Sequence, residues 1–188
     1  MLLEFHHVSK QFGNLPVIRD FSLSLAAGEV VSLVGPSGCG KSTLLRLAAD
    51  VETPDSGQIT RTFGADQVGF VFQDVRLLPW MTALDNVLFV LRDRIADRHL
   101  RHEKAERALQ QVGLADFASY NPGQLSGGMR KRVAIARALA VDADLFLFDE
   151  PFSDLDLPLR LRLLKDIGGI LKRGGKSAIY VTHDVREA

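Results

Sequence analysis

The run Gly35-Pro36-Ser37-Gly38-Cys39-Gly40-Lys41-Ser42 sets three glycines, a lysine and a hydroxyl in the spacing G-x-x-x-x-G-K-[ST]. Those residue types in that order suit one chemistry, the cradling of a phosphate chain. Glycines let successive backbone N–H groups turn inward around phosphate oxygens, and a helix opening at the lysine adds the positive end of its dipole. Lys41 is placed to neutralise the β and γ phosphates, Ser42 to take one position on Mg²⁺, and Thr43 to donate from the first helical turn. With glycine near 7% of residues on average, a chance match has odds of roughly one in a hundred or less, so a plain glycine-rich turn is the poorer reading. Cys39 is read as a small residue that fits the loop; a bulky adduct there is expected to block phosphate binding.

A second constellation follows at Leu145-Phe146-Leu147-Phe148-Asp149-Glu150, two carboxylates closing an apolar run. In parallel α/β sheets ligands bind beyond the carboxyl ends of the strands, which brings Asp149 beside the glycine loop. Asp149 then suits Mg²⁺ held through water, and Glu150 suits the polarisation of water attacking a γ-phosphate. Four histidines offer less. His6 and His7 adjoin on a strand and His99 and His102 stand three apart in a charged stretch, without the further ligands a metal site needs.

Elements must hold these groups in place. Strands are expected at residues 2–8, 21–25, 30–34, 68–72, 145–148 and 178–181, and helices at 41–49, 129–140 and 159–171. Strand, helix, strand in this order predicts an α/β fold with a parallel sheet. Between residues 74 and 124 helix formers and mixed charges take over, the pattern of a helical insertion. The 188 residues carry 23 Lys+Arg against 23 Asp+Glu, with 46% hydrophobic residues and one cysteine. That balance excludes intrinsic disorder and a disulfide scaffold, and it argues against a nucleic-acid partner. No run approaches the roughly 18 apolar residues of a membrane span, and the first residues lack a secretory pattern, so a cytoplasmic protein is expected.

Taken together these residues resemble the ATP-binding subunits of ABC transporters. Leu125-Ser126-Gly127-Gly128-Met129 is similar to that family's signature, and Ser126 with two glycines exposes backbone donors at a helix N-terminus. The resemblance implies a P-loop core with an N-terminal antiparallel β subdomain and a helical insertion. It sets residues 1–73 and 125–188 in the core and 74–124 in the insertion, all one ABC ATPase domain. It implies ATP and Mg²⁺ as cofactors, with Ser126, Gly127 and Gly128 facing the γ-phosphate held by a second, head-to-tail subunit. Phe12 resembles the aromatic that stacks on adenine, a core or turn aromatic being the competing reading. Gln73 resembles the glutamine that contacts Mg²⁺, and His183 the histidine that contacts the γ-phosphate and positions water. Ser153-Asp154-Leu155-Asp156 resembles the loop that crosses the dimer interface, with Asp154 where a small residue is common.

Residues 73–87, above all Leu77-Leu78-Pro79-Trp80, look most like the nitrate, sulfonate and taurine import branch. The family docks its transmembrane permease there, and the same residues can equally pack the insertion; both readings hold together. The implied partners are a second ATP-binding subunit, the permease and, indirectly, a substrate-binding protein, at the cytoplasmic face of the membrane. The alternative is a soluble ABC ATPase without a transporter, disfavoured by the lack of a long coiled-coil insertion or a second cassette. The chain stops at Ala188, where family members continue, so a C-terminally short form with weak ATPase and little dimerisation in isolation is expected.

Overall fold

Apolar runs bounded by turn residues fold as strands here, and polar stretches join them where a neighbouring strand supplies the hydrogen bonds. A computed structural model of residues 1–188 describes all of them except Asp154, Val185, Glu187 and Ala188, and the side chain of Ala65. The strands are β1 (Leu3–Phe12), β2 (Leu15–Leu25), β3 (Val30–Val34), β4 (Ser56–Arg61), β5 (Val68–Val71), β6 (Leu145–Asp149) and β7 (Ser177–Thr182). The helices are α1 (Lys41–Ala48), α2 (Ala83–Leu91), α3 (Arg98–Gln111), α4 (Gly127–Ala140) and α5 (Leu157–Gly174).

Two compact units result. The first comprises Met1–Phe70, Asp144–Glu150 and Ile170–Ala188; the second comprises Val71–Ala143 and Pro151–Gly169. In the first unit an antiparallel sheet runs in the order β2-β1-β4. β1 and β2 extend well past the expected residues 2–8 and 21–25, and β4 was not expected at all. The polar Ser9-Lys10-Gln11 and Ser56-Gly57-Gln58 hide the strand period, but each pairs across the sheet, Ser9 with Ser56 and His6 with Gln58. Irregular register between Phe5 and Lys10 spoils the alternation further.

A four-stranded sheet has the order β3-β7-β6-β5. β7 runs parallel to both β3 and β6, pairing Val34 with Thr182 and Val181 with Asp149. The carboxyl ends of β3, β6 and β7 therefore finish side by side. β6 and β7 are buried along their whole length, as the near-continuous apolar strands of parallel sheets are. Leu45, Leu47, Leu145, Leu147, Ile179 and Val181 form the heart of the core.

The second unit is mainly helical. Each helix start carries a polar cap: Thr82 accepts from Asp85 N, Asp97 from His99 N and Leu100 N, and Ser126 from Met129 N. Because Ser126 caps α4, the helix opens two residues before the expected position 129. Fully buried Asn86 ties the preceding loop to α2. Its Oδ1 accepts from Leu78 N at 2.8 Å, and its Nδ2 donates to Leu78 O, Met81 O and Thr82 O at 3.2, 3.2 and 2.9 Å.

Candidate functional site

β3 ends at Val34 and the chain turns through residues 35–40 before α1 begins at Lys41. Gly40 caps α1 with φ +97°, and a Cβ there would stand 2.6 Å from Ile18 Cδ1, so the turn admits only glycine. Lys41 is buried, and its Nζ arches back to donate to Gly35 O at 2.7 Å and Pro36 O at 2.8 Å. The ammonium thus sits over the loop it belongs to. The Cys39 thiol is exposed, with Sγ 3.8 Å from the same Nζ.

Ser42 Oγ donates to Asp149 Oδ1 at 3.0 Å. Asp149 is 5% exposed, and burial pushes its carboxyl above the ordinary 3.8; the Ser42 hydrogen bond opposes this and the neighbouring Glu150 adds to it. Glu150 follows with φ +46°, a left-handed backbone uncommon for a side-chain-bearing residue, and its N–H donates to Val181 O at 3.0 Å. This turn points its carboxylate across to the next strand end, where Oε2 lies 3.2 Å from His183 Nδ1. The Glu150 side chain is 14% exposed and that of His183 is 55% exposed, so the pair lies at the mouth of the site.

A hard-cation fit follows from the donor set. A serine hydroxyl and a carboxylate within hydrogen-bond reach offer two oxygens on one side of the glycine loop, which matches the preference of Mg²⁺ for few protein oxygens. Among the described residues no group of three or more His, Cys, Asp or Glu is placed to enclose a metal.

Phe12 closes β1 at the hairpin, 43% exposed, with Lys10 Nζ 5.4 Å from its ring centroid; it is not a core aromatic. His6 and His7 are exposed, and His7 Nδ1 pairs with Asp20 Oδ1 at 2.6 Å.

Gln73 and residues 126–128 belong to the second unit. Gln73 is exposed in a loop whose backbone is held by Arg137 of α4, which donates to Arg76 O at 2.9 Å, while Arg76 lies over the Phe72 ring at 4.6 Å. Burial lowers the affinity of the Arg137 guanidinium for its proton. Gly128 stands against the loop after β6: a Cβ on it would come 2.7 Å from Leu155 Cδ2. Three residues on, buried Lys131 donates to Ser153 Oγ at 2.6 Å. Asp156 accepts from Leu159 N at 3.0 Å and so caps α5; Asp154 lies outside the described residues. Lys131 and Arg137 escaped the sequence reading. Their signal is slight: α4 also carries Arg130 and Arg132, and apart from Lys131 its buried residues are Val, Ile and Ala.

Comparison with known proteins agrees with this geometry. Residues 18–153 match the ABC transporter family. The chain is 45% identical over 193 residues to the Fe(3+) ions import ATP-binding protein FbpC of Rhizobium etli, covering 98% of this chain and 54% of that protein. It is 43% identical to the aliphatic sulfonates import ATP-binding protein SsuB 1 of Xanthomonas axonopodis pv. citri, covering 99% and 76%. It is 45% identical to the taurine import ATP-binding protein TauB of Pseudomonas aeruginosa, covering 92% and 67%. The chain thus spans about half the length of the iron-import relatives it matches. A dimeric structure of the bacterial ABC transporter cassette MJ0796 superposes with a TM-score of 0.91 at 32% identity, over 100% of this chain and 90% of that one. A post-hydrolysis state of that cassette, bound to ADP and Pi, superposes equally well, with a TM-score of 0.91. A phosphate-type glycine loop joined to Asp149 through Ser42, on a fold shared over the whole chain, makes this protein a member of the ABC transporter family.

Proposed function

We propose that this chain binds and hydrolyses ATP to drive an importer of a small solute, of the sulfonate, taurine or nitrate kind. The observation that carries the reading is the 3.0 Å hydrogen bond from Ser42 to Asp149, beside the Glu150–His183 pair. Residues 35–43 receive the triphosphate through backbone N–H groups, and Lys41 leaves its loop carbonyls for the β and γ phosphates. Ser42, Asp149 and Gln73 are the residues that hold Mg²⁺, which when bound neutralises charge on the phosphates. Glu150 accepts the proton of the attacking water while the bond between the γ-phosphorus and the bridging oxygen breaks. His183 keeps that carboxylate and the water aligned. Phe12 offers one ring face to adenine.

Two such subunits close head to tail, residues 126–128 of each covering the other's γ-phosphate. Hydrolysis lets them part, and the insertion passes the movement to a permease docked near residues 73–87. No helix among the described residues is long and apolar enough to cross a membrane. Membrane attachment at the cytoplasmic face therefore comes through the permease, and solute selection through a separate binding protein. Trp80, 74% exposed, leaves an aromatic face open to a partner and so supports the docking half of the reading.

Co-expression with the membrane subunit tests this. The expected result is co-purification, with ATPase that rises when the loaded binding protein is added. Full ATPase from a chain that ignores every permease assigns it instead to the soluble ABC ATPases.

A further inference from the structure

We infer that Asp55 and Lys10 are positioning residues for Phe12, holding its ring for stacking on the nucleotide base and so acting on the nucleoside rather than the phosphates. The inference rests on the reading of Phe12 given above, and it names what keeps that ring in place.

Phe12 stands at the far end of β1, where the sheet gives it little support. The pairing of β1 with β4 ends at Ser9 and Ser56, so Lys10, Gln11 and Phe12 run on past the end of β4. On the other side the register with β2 shifts between Lys10 and Gln11. Opposite Gln11 is Pro16, which has no N–H to give. Hydrogen bonding on the open side comes instead from the turn before β4. Asp55 N donates to Ser9 O at 2.9 Å, and Asp55 Oδ2 accepts from Gln11 N at 2.7 Å. One residue thus continues the support of β1 beyond its last pair with β4. The turn itself has little freedom to drift. Gly57, at φ +82°, lies so near β1 that a Cβ on it would stand 2.3 Å from His7 O.

Lys10 joins this clamp to the ring. Its Nζ donates to Asp55 Oδ1 at 3.2 Å and lies over the Phe12 ring, 5.4 Å from the centroid. A carboxylate, an ammonium and an aromatic face therefore stand in series, the cation on one side of the ring and the other side left for a base. The Lys10 side chain is largely buried, while that of Asp55 is 42% exposed. An ion pair this exposed adds little to stability, so its effect is on where the ammonium and the ring sit. The Gln11 N–H, and after it Lys10, hold the Asp55 carboxyl below its ordinary 3.8, which keeps the clamp charged at neutral pH. Lys41 and Ser42 serve the phosphate end through bonds of their own, to the loop carbonyls and to Asp149.

Calorimetric titration of the full chain with Mg-ATP and with Mg-tripolyphosphate separates the two ends of the nucleotide. Phe12→Ala is expected to weaken ATP about tenfold, the size of one lost base–aromatic stack, and to leave tripolyphosphate unchanged. Asp55→Ala is expected to weaken ATP about fivefold, again with tripolyphosphate unchanged, and to add nothing further in the Phe12→Ala background. Asp55→Asn, whose carbonyl can still accept from Gln11 N, is expected to recover most of that loss. Lys10→Met keeps the stem and removes the charge, and is expected to weaken ATP about threefold. ATP binding unchanged in Asp55→Ala but weakened in Phe12→Ala overturns the inference and leaves the stacking role of Phe12 standing. An equal loss of ATP and tripolyphosphate in Asp55→Ala also overturns it, since that is the result a merely structural residue gives. Unchanged ATP binding in Phe12→Ala removes the stacking reading itself, and the inference with it. Where Asp55→Ala does not fold, Lys10→Met decides: ATP affinity equal to that of the unaltered chain overturns the inference.

Discussion

Glu150 Oε2 and His183 Nδ1 stand 3.2 Å apart, joined across the ends of two adjacent parallel strands. Neither neighbour in the chain prepares this pairing. It arises because β6 and β7 lie side by side with Asp149 opposite Val181, and because Glu150 takes a positive φ that swings its carboxylate toward the β7 end.

Replacing Glu150 by Gln keeps the shape of that pair and removes the base. Turnover is expected to fall by about 10²- to 10⁴-fold, as for loss of general-base catalysis, with ATP affinity little changed. Phosphate release and equilibrium binding of a fluorescent ATP analogue measure the two halves. Normal turnover in this variant removes Glu150 from the role of base.

Asp149 makes the nucleotide-free protein sensitive to pH. Burial raises its carboxyl above the ordinary 3.8, so between 3.8 and the raised value the folded chain holds more proton than the unfolded one. The stability this contributes is complete below 3.8 and is lost as pH rises through the folded value. Near neutral pH Asp149→Asn, which still accepts from Ser42, is expected to raise Tm, by about 2 °C or more for each ~1 kcal/mol relieved, while turnover is lost. A thermal melt without nucleotide that shows a lower Tm for the variant contradicts this.

Gly128 is set by Leu155. A methyl group on residue 128 meets Leu155 Cδ2 at 2.7 Å, so Gly128→Ala is expected to cost about 1–3 kcal/mol by overpacking. Shortening the neighbour relieves the clash. The pair Gly128→Ala with Leu155→Val should therefore lose less than the sum of its two members in urea unfolding.

Cys39 is exposed and is the chain's single cysteine, so N-ethylmaleimide has one thiol to find. Complete modification, mapped by mass spectrometry, is expected to abolish nucleotide binding, and Cys39→Ser is expected to resist it. Unchanged binding by the modified protein disposes of the idea.

Much of the phosphate loop was legible in the sequence because its chemistry is local. Residues 35–42 need only their own glycines and the helix start at Lys41 to form an anion cradle, and the apolar run into Asp149 states its own burial. Ser126 likewise announces a helix cap, and the fold class follows from the alternation of strand and helix. What could not be read depends on pairing between distant segments. β4 is too polar to propose itself and exists through its ladder with β1. The insertion of β7 between β3 and β6 sets His183 beside Glu150. Lys131 and Arg137 find their partners 22 and 61 residues away, across a fold that no spacing encodes. The sequence by itself determined which groups are present and the kind of ligand they suit, since that rests on residue type and short-range geometry. Tertiary structure alone decided which of them meet, because hydrogen bonds and close packing between remote strands and helices exist only once the chain has folded.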